Sequence, residues 1–105
     1  MTFPELTTVL ESTGLPVTYR AWPEQQAPAL PYICYLADYS ENFGADNIVY
    51  YPITRVRVEL YTGRKQPEAE EKVETAFSFA SLFWQKTEVY IDSENCYQIA
   101  YEIEV

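Results

Sequence analysis

Hydrophobic and polar positions repeat with two different periods along this chain, which predicts both helices and strands. From residue 3 to about residue 13, apolar positions recur three and four residues apart, as on one side of a helix. Thr2 and Glu5 have the spacing of a capping box at its start, and Gly14 favours the left-handed backbone that ends it. The apolar side of this helix is Phe3, Leu6, Val9 and Leu10.

Three strands are predicted after the first helix, over residues 17–22, 32–39 and 50–62. The connection 23–31 is rich in proline, which fixes its own backbone angle and extends its predecessor, so we expect this segment to be stiff and extended. From residue 54 onward, apolar residues occupy every other position, which predicts a strand with one face toward a core. That face is Val56, Val58 and Leu60.

A polar loop, Tyr39 to Asn47, is predicted between the second and third strands. It is longer and richer in Asn, Gly and Asp than a hairpin turn requires, and loops of this size usually have a further task. Pro52 has no amide hydrogen to donate, so we expect the next strand to begin at a sheet edge or bulge.

The main helix is predicted over residues 66–84, with Pro67 and Glu68 in its first turn. Phe79, Leu82 and Phe83 widen its apolar stripe beyond what one sheet face needs. A helix that is apolar over so wide an arc is either deeply buried or meets a neighbouring molecule. The rest of the stripe is Ala69, Val73, Ala76, Phe77, Ala80 and Trp84.

A hairpin is predicted to close the chain, with strands over 86–92 and 97–104 and a turn at 93–95. The element order α-β-β-β-α-β-β predicts one α+β domain over residues 1–105. In that domain, a single mixed or antiparallel sheet carries two helices on its apolar face. The polar face is expected to hold cross-strand charge pairs. These pairs are Arg55 and Arg57 with Glu88, Glu102 and Glu104.

The amino-acid composition limits the kinds of function that we expect of the protein. The chain has 105 residues, with 16 acidic and 7 basic side chains, a net charge of −9 and no histidine. Such a surface repels nucleic acid and anionic membranes, since binding there depends on Lys and Arg. No segment is typical of a signal peptide or a membrane span, so we expect synthesis in the cytosol. Cys34 and Cys96 lie in apolar runs, which predicts buried, reduced thiols.

Catalytic patterns are not found in the sequence. The absence of histidine excludes Ser-His and Cys-His nucleophiles and histidine-ligated metals, and two distant cysteines do not make a four-thiolate zinc site. The three glycines are isolated, so no phosphate-binding loop is predicted. The remaining carboxylates are better explained as turn residues, and we expect no enzyme activity, metal or cofactor. These carboxylates are Asp38, Glu41, Asp46, Asp92 and Glu94.

Several segments resemble a known protein family. They are PYICY at 31–35, NFGADNIVY at 42–50 and VELYT at 58–62, followed by the acidic helix and the last hairpin. Together they resemble the tail-terminator and tail-completion (head–tail joining) proteins of long-tailed bacteriophages, the siphophages. The resemblance covers nearly the whole chain, and the predicted element order is similar to the tail-terminator fold.

The resemblance implies a virion protein that forms a hexameric ring on the phage tail tube. The ring ends tube polymerisation and offers the surface on which the head docks. Its implied partners are further copies of the chain, the major tail tube protein and a head-completion or neck protein. Phe43 is the best single candidate for contact with a partner. The equal alternative is that Phe43 folds back on the sheet. The loop candidates are Asn42, Phe43, Asp46 and Asn47. The candidates for the contact between subunits are Tyr61, Phe79, Leu82, Phe83 and Tyr90.

Three alternatives remain open. They are a neighbouring neck or minor tail component, an uncharacterised binding module, and an acidic mimic of DNA that inhibits a host DNA-binding enzyme. The acidic residues are interleaved with Arg55, Arg57, Lys65, Lys72 and Lys86, whereas a mimic of DNA is expected to concentrate one sign of charge on one face.

Overall fold

The computed structural model describes residues 1–40, 42–45, 48–51 and 53–105. Its helices are α1 (Phe3–Glu11) and α2 (Pro67–Phe79). Its strands are β1 (Val17–Tyr19), β2 (Tyr32–Ser40), β3 (Phe43–Ala45), β4 (Ile48–Tyr51), β5 (Thr54–Thr62), β6 (Gln85–Ile91) and β7 (Cys96–Glu104). One turn of 3-10 helix, Asp92–Glu94, joins β6 to β7.

The main sheet has five strands in the order β1-β2-β5-β7-β6. β1 runs parallel to β2, and the other neighbours are antiparallel, so the sheet is mixed. Both helices pack on one face of this sheet, which we call the inner face. The predicted α+β class and its element order are therefore confirmed. The core between the layers is Leu6, Leu10, Ile33, Tyr35, Val56, Val58, Leu60, Ala69, Val73, Phe77, Ile99, Tyr101 and Ile103.

The predicted start of α1 is confirmed by its hydrogen bonds. The Glu5 amide donates to Thr2 Oγ1 at 3.2 Å, and the Thr2 amide donates to Glu5 Oε1 at 3.2 Å. Gly14 has φ of +81°, as its place after the helix requires. Leu6 and Leu10 are fully buried, so α1 presents the predicted side to the sheet.

The prediction of a loop over Tyr39–Asn47 is wrong for part of that segment. β2 continues through Ser40, and β3 pairs with β4 in a separate antiparallel ribbon. The sequence pattern missed this ribbon because β3 is only three residues long and contains glycine. The strand predicted over 50–62 is accordingly divided between β4 and β5. Glu41 and Pro52 lie outside the described residues.

The connection between β1 and β2 is not extended as predicted. β1 ends at Tyr19, because Arg20 takes φ of +67° and turns the chain out of the sheet. The Gln26 amide then donates to the Pro23 carbonyl at 3.0 Å, which closes a turn. Trp22 packs edge-on against Tyr32, with ring centroids 6.0 Å apart. The connection therefore folds against the outer face of the sheet, where Tyr32 lies.

The predicted faces of β6 are inverted. In the observed register, Glu88 lies opposite Ile99 and Val89 lies opposite Gln98. Ile99 belongs to the core, so Lys86, Glu88 and Tyr90 face the helices. Of the predicted charge pairs, Arg55–Glu104 and Arg57–Glu102 are present at 3.0 and 3.4 Å. Glu88 instead pairs with Lys65.

Candidate interaction surface

Phe79, Leu82 and Phe83, three of the residues predicted to form the contact between subunits, lie at the C-terminal end of α2 or just beyond it. The helix was predicted to reach residue 84, but it ends at Phe79 in a Schellman motif. The Leu82 amide donates to the Phe77 carbonyl at 2.9 Å, and the Ser81 amide donates to the Ser78 carbonyl at 3.1 Å. Ser81 holds the left-handed position, with φ of +57°. Because glycine usually occupies that position, the sequence carried little signal for the end of the helix.

Phe79 and Phe83 are the most exposed large apolar side chains among the described residues, at 88% and 77% of their surface. A groove beside Phe79 is lined by Glu71, Glu74, Thr75, Ser78 and Trp84. A second hollow brings Phe83 next to Ser81, Leu82 and Glu104. We call Phe79 and Phe83 the phenylalanine patch. This part of the predicted subunit contact is accessible to a partner.

Leu82 does not belong to the phenylalanine patch. It is half-buried and packs against the core, because the Schellman motif turns it back over the helix. Trp84 also packs against the core, where its ring centroid lies 5.7 Å from that of Tyr101. The apolar positions predicted to form one wide stripe are therefore divided between the core and the surface.

Tyr61 and Tyr90 do not form a common contact surface. Tyr61 lies on the outer face and is half-buried, with its ring 5.4 Å from that of Tyr32. Its hydroxyl donates to Glu59 Oε1 at 3.1 Å and accepts from Gln98 Nε2 at 2.9 Å. Burial, with a smaller effect of the nearby Glu59, raises the pKa of Tyr61 to about 12 against the opposing effect of the hydrogen bond with Gln98. Tyr90 is exposed and lies on the inner face, opposite Tyr97.

A cluster of ion pairs connects α2 with the loop before it and with β6. Glu70 is only 4% exposed, and its two oxygens lie 2.7 Å from Lys65 Nζ and 3.0 Å from Lys86 Nζ. Lys86 also reaches Glu74 at 2.7 Å, and Glu74 accepts a hydrogen bond from the Tyr101 hydroxyl at 2.7 Å. Burial raises the pKa of Glu70, but the two lysines outweigh it and hold that pKa below its ordinary value. The carboxylates of Glu70 and Glu74 on α2 are thus both paired with lysines.

Both cysteines are buried free thiols, as predicted. Burial raises the pKa of the Cys34 thiol to about 11, and the charge of Glu59 adds to the effect. Burial also raises the pKa of Cys96. The reactive form of cysteine is the thiolate, so these side chains are chemically quiet near neutral pH.

Only two of the four residues predicted as loop contacts, Asn42 and Phe43, belong to the described residues. The side-chain oxygen of Asn42 accepts a hydrogen bond from the Ile53 amide at 3.1 Å, which links the two ends of the β3–β4 segment. Phe43 begins β3, and its backbone lies opposite Tyr51. Asp46 and Asn47 lie outside the described residues. Nearby, Tyr39 is exposed at the end of β2, a contact candidate that the sequence pattern did not single out.

Within the described ranges, no group of three His, Cys, Asp or Glu side chains is arranged to hold a metal ion. None of the helices that these residues form has the length and apolar character needed to cross a membrane. Asp38 lies on β2, whereas Asp92 and Glu94 lie in the turn before β7. Glu41 and Asp46, the other two carboxylates considered for chemistry, are outside the described residues.

Comparison with known proteins gives no independent assignment. No protein-family model matches the chain, and no curated protein matches its sequence. The function is therefore inferred from the segments that resemble phage proteins and from the surface described above.

Proposed function

We propose that this chain is a virion assembly protein of a long-tailed bacteriophage. In this role, copies of the chain form a hexameric ring on the end of the tail tube, stop its polymerisation and offer the docking surface for the head. The single observation that carries the proposal is the phenylalanine patch. Two aromatic side chains exposed to this degree, within five residues of each other, are typical of a surface that another molecule covers.

The energetics favour coverage of this patch. Burying a phenylalanine side chain contributes about 1.5–3 kcal/mol through the hydrophobic effect. Phe79 and Phe83 realise little of this in the isolated chain, because most of their surface is exposed. A ring needs two different complementary patches on each subunit, since its contacts run head to tail. The phenylalanine patch is our candidate for one of them.

The contact with the tail tube is assigned to the C-terminal end of β2, where Tyr39 and Asn42 lie. Ala37 to Ser40 are exposed, so this part of the sheet extends beyond the cover of the helices. The β3–β4 ribbon follows, with Phe43 at its start. An exposed strand end followed by a ribbon gives a partner main-chain groups to contact, and the exposed Tyr39 adds an aromatic side chain.

The distribution of charge supports assembly over mimicry of DNA. A DNA mimic needs carboxylates that are free to replace phosphates, but several of the carboxylates here are already paired. Glu70 and Glu74 bind lysines, while Glu59 and Glu102 bind Arg57. The outer face therefore mixes both signs of charge, as does the exposed side of α2.

Complementation of a phage that lacks this gene tests the proposal. The double variant F79S/F83S should fold normally, because neither side chain is in the core, but should restore few infectious particles. The matched control is Leu30→Ser, which changes a partly exposed apolar residue away from the patch. Full infectivity with F79S/F83S contradicts the role of the patch. Loss of infectivity with the control as well contradicts the assignment of the effect to Phe79 and Phe83.

A further inference from the structure

The two edges of the main sheet differ, and both are accessible. β6 forms one edge; it is seven residues long, contains neither proline nor glycine and pairs with β7 without a bulge. All its residues except Ile91 are exposed, and Val89 is 50% exposed. Long, regular edge strands usually carry features that prevent further strand pairing. The charges of β6 are instead held by its own subunit, Lys86 by Glu70 and Glu88 by Lys65.

The opposite edge is short and has a defined set of free main-chain groups. The Ile33 amide donates to the Pro16 carbonyl, and the Arg20 amide donates to the Tyr35 carbonyl. Since neighbouring residues of a strand direct these groups to opposite sides, those of Val17 and the amide of Tyr19 point away from β2. The Tyr19 carbonyl already accepts a hydrogen bond from the Ala21 amide at 2.8 Å. Beyond Tyr19, the edge continues along β2, where Asp38 is exposed.

We propose that copies of this chain join edge to edge, with β6 of one copy paired antiparallel to β1 of the next. This inference rests on the self-assembly part of the proposed function and specifies its contact. The strand directions agree: successive antiparallel neighbours leave β6 antiparallel to β1 within one sheet. A second copy that is added beside β6 in the same orientation therefore places its own β1 antiparallel to β6.

The faces and the charges of the two strands together select the register. Val17 and Tyr19 face the helices, as do Lys86, Glu88 and Tyr90, whereas Thr18 and Val89 face outward. Residues directly opposite in a sheet share a face, which allows the register in which Val17 meets Tyr90 and Thr18 meets Val89. In this register, Glu88 lies near Arg20 of the next copy, and Lys86 lies toward its Asp38. Within its own subunit, β6 belongs to a cluster in which three carboxylates share two lysines, so the cluster keeps one negative charge. Arg20 of another copy complements that charge, and we therefore take the occupant to be another copy of this chain.

The same register connects the edge to the phenylalanine patch. Phe83 lies two residues before β6, and Tyr39 lies one residue beyond Asp38. Both are at the Gln85 end of the pairing, so Phe83 of one copy lies toward Tyr39 of the next. Two different surfaces meet, as a head-to-tail assembly requires.

Disulfide trapping tests the pairing. Cys34 and Cys96 are first replaced by alanine, and T18C and V89C are introduced into separate chains, which are mixed and oxidised. We expect a disulfide heterodimer in the mixture, since opposite residues in a sheet come within disulfide reach. The matched control is Q85C, on the same face of β6 but four residues away, or about 13 Å along the strand. Its mixture with T18C should give about a tenth or less of that heterodimer.

Three results overturn the inference. A homodimer of V89C that forms as readily as the heterodimer indicates two-fold pairing of β6 with itself. Equal yields from V89C and Q85C contradict the register. A wild-type chain that sediments only as a monomer contradicts pairing of the free chain. None of these results alters the infectivity of F79S/F83S, so failure of the edge contact is distinguishable from failure of the proposed function.

Discussion

Glu70 shows how one side chain organises the surface around α2. It is a carboxylate in the first turn of the helix, where the positive end of the helix dipole favours it. Although nearly all of its surface is buried, it contacts Lys65 from the preceding loop and Lys86 from β6. The residue therefore ties together three segments that are distant in sequence.

Glu70→Gln should lower the free energy of unfolding by about 1–3 kcal/mol, because a charged hydrogen-bond acceptor is lost between two lysines. The pKa of Glu70 is held below its ordinary value of 4.5, so the contribution of its charge is present above that pH. It is lost as the pH falls through the lowered pKa. Urea unfolding at several pH values should show the variant and the wild type converging under acidic conditions.

Glu71→Gln provides the control for that series, because Glu71 is exposed on the same helix. We expect a change within about 0.5 kcal/mol at every pH. An equal loss of stability in both variants is evidence against a special role for the buried carboxylate. A difference between Glu70→Gln and the wild type that persists unchanged in acid is evidence against the ionic origin of the effect.

The elements differ in how far the sequence determines them. α1 was predictable because its cap, its apolar side and its terminating glycine all indicate the same helix. The alternation in β5 correctly identified a buried face. For β6, the prediction placed Glu88 on the polar face, but Lys86 and Glu88 find ion-pair partners on the helix side and Val89 remains exposed. The spacing of hydrophobic and polar positions along the chain does not by itself reveal such ion-pair partners.

The end of α2 was also beyond prediction from sequence, and it determines where the candidate site lies. A serine holds the left-handed position of its Schellman motif, so residues 80–84 continued the helical pattern without a visible break. Phe79 and Phe83 were predicted as contact residues and are exposed. Leu82 was predicted beside them and instead packs on the core.

Ser81→Gly should stabilise the fold by about 0.5–1 kcal/mol, because a residue with a side chain is strained at φ of +57° and glycine is not. Thermal unfolding measures the effect, and Ser81→Ala is the matched variant that keeps a side chain at that position. We expect the glycine variant to be the more stable of the two. The reverse order contradicts the assignment of the helix end.

The molecule as a whole is elongated, with principal extents of 49 × 28 × 23 Å. Its radius of gyration is 14.7 Å, whereas a compact chain of this length has a value of about 13 Å. The exposed end of β2 is consistent with this shape, because the sheet there leaves the cover of the helices. Folding of the core is thus separable from the end assigned to the tail tube.

Replacement of residues 41–53 by the turn Asn-Gly tests that separation. Ser40 and Thr54 are already paired across β2 and β5, so a two-residue turn joins them directly. The free energy of unfolding should change by less than about 1 kcal/mol, since a shorter loop costs little to close. The variant should no longer sediment with purified tail tubes. Co-sedimentation equal to that of the wild type is evidence against this end as the tube contact.

Electron microscopy of lysates from a phage that lacks this gene tests the central claim most directly. We predict tail tubes of excessive and variable length beside filled heads without tails. Tubes of normal length that fail to join heads assign the chain to the neck instead. Normal virions in the absence of the gene contradict an assembly role altogether.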